Sequence, residues 1–199
     1  DQNVAAPGNW GGIFVGHTST ASIDHALITF GGGINRVEGS FTGFNAIEIH
    51  QAEVRIANSV IENNRSGTGG QAPASRFGRG FNRSSAIFVR GSQPVIVDNI
   101  IRDNQGAAIN INANALTARL LGDYGRSVGD ADQFTQFVGN QGPLVQDNRL
   151  VGNAINGMEI RGETLTTETV WDDTGIAHVL RSTITIPDFH TVGGLRLES

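Results

Sequence analysis

Apolar residues in this chain recur in short alternating pairs. One element, a small residue followed by apolar, variable, apolar, appears as Gly12-Ile13-Phe14-Val15, Ala46-Ile47-Glu48-Ile49, Ala86-Ile87-Phe88-Val89, Ala108-Ile109-Asn110-Ile111, Gly157-Met158-Glu159-Ile160 and Gly194-Leu195-Arg196-Leu197. Alternation at period two predicts short strands with one buried face. A second element follows several residues later, as Ile23-Asp24-His25-Ala26-Leu27, Ile56-Ala57-Asn58-Ser59-Val60, Val97-Asp98-Asn99-Ile100-Ile101 and Gln146-Asp147-Asn148-Arg149-Leu150. The last three run on to Asn63, Asn104 and Asn153 at the same offset.

Short strands that repeat with sharp turns between them predict an all-β solenoid of parallel strands. One turn of the chain cannot bury its own apolar face. Stacking on the next at about 4.8 Å buries it and pairs the backbone, so about six coils make a rod roughly 30 Å long. Asparagine tolerates the left-handed backbone of a corner, and stacked asparagines hydrogen-bond along the axis. Asn58, Asn99 and Asn148 are therefore expected to be structural corner residues, with His25 in the same place in the first coil.

The chain is read as a single domain over 1–199 with two long insertions, 65–85 and 113–141. The first is rich in Gly and Ser and holds Arg65, Arg76, Arg79 and Arg83, with Phe77 and Phe81 between them and no acid. The second is expected to open with a short helix over Ala113 to Leu121 and then turns acidic at Asp123, Asp130 and Asp132. Beyond Arg161 the periodicity weakens, although 178–180 and 183–186 still read as strands. The chain starts at Asp1 without methionine and stops inside an apparent repeat, so it is expected to be part of a longer protein.

Composition narrows the chemistry. All 14 basic residues are arginine, which excludes Schiff-base, P-loop and lysine-base mechanisms. Cysteine is absent, so neither disulfides nor cysteine metal sites form. A net charge of −5 argues against nucleic acid as a partner, and no apolar run is long enough for membrane insertion. His17, His25, His50, His178 and His190 show no metal-ligand pairing.

The G/A-I-x-V strands and the V-x-N-x-I-x-x-N corners, roughly Gly12 to Arg161, resemble the right-handed parallel β-helix repeats of the pectate-lyase-like superfamily. The resemblance implies a right-handed parallel β-helix. It leaves the activity open, because this fold carries lyases, hydrolases, esterases, epimerases, phage spikes, adhesins and passive rods. Residues 167–180 and 189–199 look like segments that accompany such repeats in very large secreted bacterial surface proteins, which implies a secreted or cell-surface location.

A lyase of this type needs carboxylates that hold Ca²⁺ and a basic residue that removes a proton. Arg55, Arg90, Arg102, Arg149 and Arg161 supply the bases. Asp98 and Asp147, each one residue before a corner asparagine, are weak metal candidates, as are Asp130 and Asp132. Calcium is the only cofactor this reading leaves open. The hydrolase signatures of the family (N-T-D, G-D-D, G-H-G and R-x-K) are missing.

Binding is expected on the outward columns of the first strand. One column reads Phe14, Glu48, Phe88, Asn110, Glu159, Arg196; the next reads Gly16, His50, Arg90, Asn112, Arg161, Glu198. Aromatic, arginine, amide and acid side chains on a flat sheet suit an extended sugar chain. Arg76, Arg79 and Arg83 of the first insertion suit sulfate or carboxylate. The function expected is an extracellular structural or adhesive module whose partners are polysaccharide or other copies and segments of the same protein. The alternative is a uronate polysaccharide lyase or epimerase, ahead of a glycoside hydrolase.

Overall fold

The computed structural model describes residues 4–38, 41–43, 45–65, 83–126, 132–188 and 194–198. The chain there is all-β, with parallel strands stacked into sheets. The first segment contributes β1 (Ile13–Val15), β2 (Thr20–Asp24) and β3 (Leu27–Thr29), followed by an antiparallel pair, β4 (Asn35–Glu38) and β5 (Phe41–Gly43). The next two contribute β6 (Ile47–His50), β7 (Glu53–Ala57) and β8 (Val60–Glu62), then β9 (Ser85–Arg90), β10 (Val95–Val97) and β11 (Ile100–Arg102). After these come β12 (Ala107–Asn112), β13 (Leu144–Gln146) and β14 (Arg149–Val151), then β15 (Ile155–Arg161), β16 (Glu168–Trp171), β17 (His178–Leu180) and β18 (Gly194–Leu197). A six-stranded sheet runs β1-β6-β9-β12-β15-β17, and two four-stranded sheets run β2-β7-β10-β13 and β3-β8-β11-β14.

Register explains the repeat. Ile47, Ile87, Ile109 and Met158 are Cα partners across neighbouring strands, as are Ile49, Val89, Ile111 and Ile160. All eight are buried and meet Ile56, Ile96 and Val145 of the second sheet and Ile61 and Ile101 of the third. Each such side chain contributes about 1.5–3 kcal/mol on burial. The small residue ahead of each apolar pair has a steric cause. A Cβ at Gly12 (φ +132°) would lie 2.3 Å from the Asn45 carbonyl oxygen, and Ala46, Ala86 and Ala108 are fully enclosed.

The corners divide into two jobs that the sequence merges. The residues with left-handed backbone are His25, Asn58, Asp98 and Asp147 at one corner and Phe30, Asn63, Asp103 and Gly152 at the next. The residues that bond along the axis stand one position later. At the first corner Ala26 N donates to Ser59 Oγ (3.1 Å), Ser59 N to Asn99 Oδ1 (3.0 Å) and Asn99 N to Asn148 Oδ1 (3.1 Å). At the second, Gly31 N donates to Asn64 Oδ1 (2.8 Å), Asn64 N to Asn104 Oδ1 (3.1 Å) and Asn104 N to Asn153 Oδ1 (3.2 Å). Asn58 and Asn63 are thus turn residues, and Ser59 and Asn64 take the axial places expected of them.

The second insertion also departs from expectation. The helix is a single 3₁₀ turn, Ala113–Ala115, after which Thr117 and Leu120 enter isolated bridges. The segment then lies over the outer face of the second sheet, where Leu121, Phe134 and Phe137 pack on Ala57, Val95, Val97 and Leu144. At the C-terminal side, β18 pairs with β16, and β17 takes the sixth place in the first sheet. β16 is anchored to the second insertion, with Val170 N donating to Leu116 O (3.2 Å), so β18 stacks there and Arg196 and Glu198 leave the outward columns. The predicted strand over 183–186 is reduced to a bridge from Thr185 to Thr164.

The edge strand of the second sheet, β13, is closed by two acids. Val145 N donates to Asp173 Oδ1 (3.0 Å) and Gln141 N to Asp172 Oδ2 (2.8 Å), in place of carbonyls from a further strand. Burial, helped by the neighbouring Asp172, pushes the Asp173 carboxyl well above the usual carboxylate range.

Two predictions follow from this packing. Asn99→Ala leaves Ser59 N and the Ile56 and Val97 carbonyls without their partner and should cost about 2–4 kcal/mol in urea unfolding. Asp98→Gly, at an exposed corner with φ +53°, should stay within about 0.5 kcal/mol of wild type. Equal losses in the two variants would sink the division of labour. For Asp173, a folded-state pKa above the unfolded one means that its contribution is full in acid and is lost as pH rises through the folded value. Asp173→Asn keeps an acceptor for Val145 N, so it should raise the melting temperature at pH 7–8 and change little near pH 4. A variant that melts lower than wild type at pH 8 would overturn this.

Candidate functional site

The outward column of the first sheet is in the expected register: Phe14 beside Glu48, then Phe88, Asn110 and Glu159, with Val179 last. Strand alternation alone predicts that this column is open to solvent, but most of it is buried. Glu48 and Phe88 are 1% exposed and Asn110 0%, while Glu159 and His50 are also buried. The polar groups are spent on one another. Glu48 Oε1 accepts from Asn45 N (3.1 Å) and Asn45 Nδ2 (3.0 Å), and Glu48 Oε2 lies 2.9 Å from His50 Nε2. The His50 ring sits between Phe14 and Phe88, with centroids 4.8 and 5.4 Å away. Further along, Asn110 Nδ2 donates to Glu159 Oε2 (2.8 Å).

Arg161 closes this string. Its Nη1 donates to Asn110 Oδ1 and its Nη2 to Val89 O (2.6 Å), and the guanidinium carbon lies 4.2 Å from the centre of the Phe88 ring. Burial, the Arg90 and Arg83 charges working with it and Glu163 and Glu159 against it, lowers the proton affinity of the guanidinium. Arginine stays charged at neutral pH even so.

Beyond Arg161 a cleft of about 700 Å³ opens on the same face. Gln51, Phe88, Arg90 and Arg161 line it, together with Asn112, Asn114, Glu163 and Thr166. Its polar wall is held in place. Asn112 Oδ1 accepts from Gly91 N (2.7 Å), and Glu163 Oε1 accepts from Asn112 Nδ2 (2.9 Å) and Asn114 N (2.5 Å). Thr166 N donates to Asn114 Oδ1 (2.8 Å). His50 and Arg90 are Cα partners in β6 and β9, and Asn112 pairs with Arg161, as the column spacing predicts. Asn114, Glu163 and Thr166 are not evident in the sequence, because they lie where the strand period stops.

The remaining candidates do not converge on this cleft. Asp98 and Asp147 align with each other at the corner between the second and third sheets, exposed, away from the outer face of the first sheet. Arg83 is exposed just ahead of β9. Arg76, Arg79 and Asp130 lie outside the described residues. The two column carboxylates, Glu48 on β6 and Glu159 on β15, are three strand spacings apart, roughly 14 Å. Glycosidase carboxylate pairs need about 5–10 Å.

A second polar cluster lies under the second insertion, unseen in the sequence because its bonded partners are up to 102 residues apart. Arg55, fully buried, donates Nε to Asp123 Oδ1 (2.8 Å), Nη1 to Asp24 Oδ2 (2.5 Å) and Nη2 to Asp132 O (2.6 Å). Asp24, His25 and Asp132 bring ligand atoms within 4.8 Å of one another. Arg126 nevertheless pairs with both Asp24 and Asp132, and Arg55 with Asp24, so arginine already balances these acids. Burial opposes ionisation of Asp123, but hydrogen bonds from Arg55 and from Phe134 N and Gly125 N overcome it and hold the carboxyl below its ordinary range. The contribution is then present above the unfolded pKa and lost as pH falls through the depressed one.

The cluster therefore reads as the clasp that holds the insertion on the second sheet. Asp123→Asn, which takes one of its two counter-charges from the buried Arg55, should cost about 3–5 kcal/mol at pH 7, and the deficit should shrink below about pH 4. A loss under about 1 kcal/mol at pH 7, in calorimetry, would show that the pair is not the clasp.

Comparison with protein-family models, with curated proteins and with solved structures finds no match to this chain.

Proposed function

We propose that the chain is a right-handed parallel β-helix of the pectate-lyase-like type. In this reading it serves as an extracellular structural or adhesive module of a large secreted or cell-surface bacterial protein. It holds a polysaccharide chain in the cleft beside Arg161 and does not cleave it. The observation that carries this reading is the way the outward column is consumed. Glu48 is tied to Asn45 and His50, Glu159 to Asn110, and Arg161 to Asn110 and Val89, so these groups brace the face of the sheet. A rigid wall of amides and a threonine beside that face suits an oriented sugar.

One observation favours a second reading, a uronate lyase or epimerase. Arg161 has a lowered proton affinity and lines the cleft, which are properties of a base that abstracts a proton. Against it, Asp98 and Asp147, the aligned acids that would hold calcium, stand at a different corner.

The two readings separate in one assay. Polygalacturonate and alginate are incubated with the protein, with and without calcium, while ultraviolet absorbance of unsaturated product is followed; native gels cast with each polymer report binding. The module reading expects retardation in the gel and no new absorbance. Calcium-dependent absorbance would replace it with the lyase, and mobility unchanged in every polymer would remove the polysaccharide from it.

A further inference from the structure

We infer that the cleft takes an anionic group, a sulfate or carboxylate carried on a sugar chain, and that Arg161 is the residue that receives it. The inference rests on the polysaccharide reading above and adds the charge of the ligand.

The argument starts from the pairing of Arg161. A buried or half-buried arginine ordinarily meets a carboxylate, as Arg55 does twice. Arg161 is half-buried and forms no ion pair among the described residues; its hydrogen bonds end on a neutral amide oxygen and a main-chain carbonyl. One donor each on Nη1 and Nη2, together with Nε, is unclaimed by these two bonds. One face of the guanidinium rests on Phe88, which fixes its plane and leaves its fork as the part that an oxyanion meets edge-on.

The surrounding charge points the same way. The positive charges of Arg90 and Arg83 act on Arg161, and the acids that oppose them, Glu163 and Glu159, are committed elsewhere. Glu163 Oε1 accepts from Asn112 and Asn114, and Glu159 Oε2 from Asn110. A chain of formal charge −5 thus carries, in a cleft of about 700 Å³, an arginine whose charge no acid among the described residues balances by contact. Asn112, Asn114 and Thr166 beside it offer the neutral hydrogen-bonding groups that a sugar ring uses. Sulfate and uronate carboxylate present the same paired oxygens to the fork, so the chemistry they share is what the site selects.

The test compares dextran, dextran sulfate and polygalacturonate as titrants in calorimetry at fixed ionic strength, with sodium sulfate as competitor. Wild type should bind at least one anionic polymer at least about tenfold more tightly than dextran, and sulfate should compete. Arg161→Gln should reduce the anionic polymers to the level of dextran. Arg161→Lys, a control that keeps the charge if the glutamine variant unfolds, should retain part of the preference. Glu163→Gln removes a repelling charge, keeps the acceptor for Asn112 and Asn114, and should tighten anionic binding. Equal affinity for dextran and the charged polymers, or a folded Arg161→Gln that binds them as wild type does, would overturn the inference and leave the polysaccharide reading standing. Binding of none of the polymers would overturn both, and capture of sulfate alone would overturn the sugar assignment.

Discussion

The structure depends on hydrogen bonds that run along the stacking axis through buried amide side chains. Backbone pairing alone holds each sheet, but it stops at the corners, where the chain turns and its N–H and C=O groups leave the ladder. There Asn99 and Asn148, and at the next corner Asn64, Asn104 and Asn153, supply the missing partners. Each amide accepts from the preceding layer and donates back to a carbonyl there, and Asn64, Asn99 and Asn104 donate to the amide oxygen of the following layer as well; Asn104 Nδ2, for example, reaches both Asn153 Oδ1 of the following layer and Ile61 O of the preceding one. A buried group left without this partner would cost about 1–3 kcal/mol. The corners therefore fix the register of all three sheets, and the apolar columns follow from that register.

The outer faces show what happens once the register is set. The stacking places side chains about 4.8 Å apart in columns, so like or unlike neighbours must come to terms. On the first sheet the column alternates aromatic, acid and amide, and adjacent members satisfy one another. On the second sheet an arginine inside an apolar face would be untenable alone, and the insertion brings Asp123, Phe134 and Phe137 to cover it. The same insertion anchors β16 through Leu116, and through it β18. Burial of Arg55 and closure of that face are one event.

Arg161 differs from Arg55 in one respect that matters for function. Both are at least partly enclosed and both touch an aromatic ring, but Arg55 is neutralised by contact and Arg161 meets no carboxylate among the described residues. Enclosure without a counter-charge raises the cost of the site, and a bound anion would relieve it. The cleft beside it has its wall residues locked by hydrogen bonds among themselves, which lowers the ordering cost of any ligand that enters.

The strands, their faces and the pairing of successive segments were legible in the sequence, because a period of two and a repeated corner motif are local signals. Gly12, Ala46, Ala86 and Ala108 marked the apolar pairs for a steric reason that holds in every layer. The axial asparagines were read one residue early at Asn58 and Asn63, since a corner needs both a left-handed residue and an axial one and asparagine suits either. What only the tertiary structure decided is whatever depends on segments outside the repeat: the burial of Glu48, His50 and Asn110, the capture of Arg55 by Asp123, the pairing of β18 with β16, and the placement of Asn114, Glu163 and Thr166 around Arg161. Local alternation reports which way a side chain points. Whether water or another part of the chain meets it there is set by loops whose contacts carry no period.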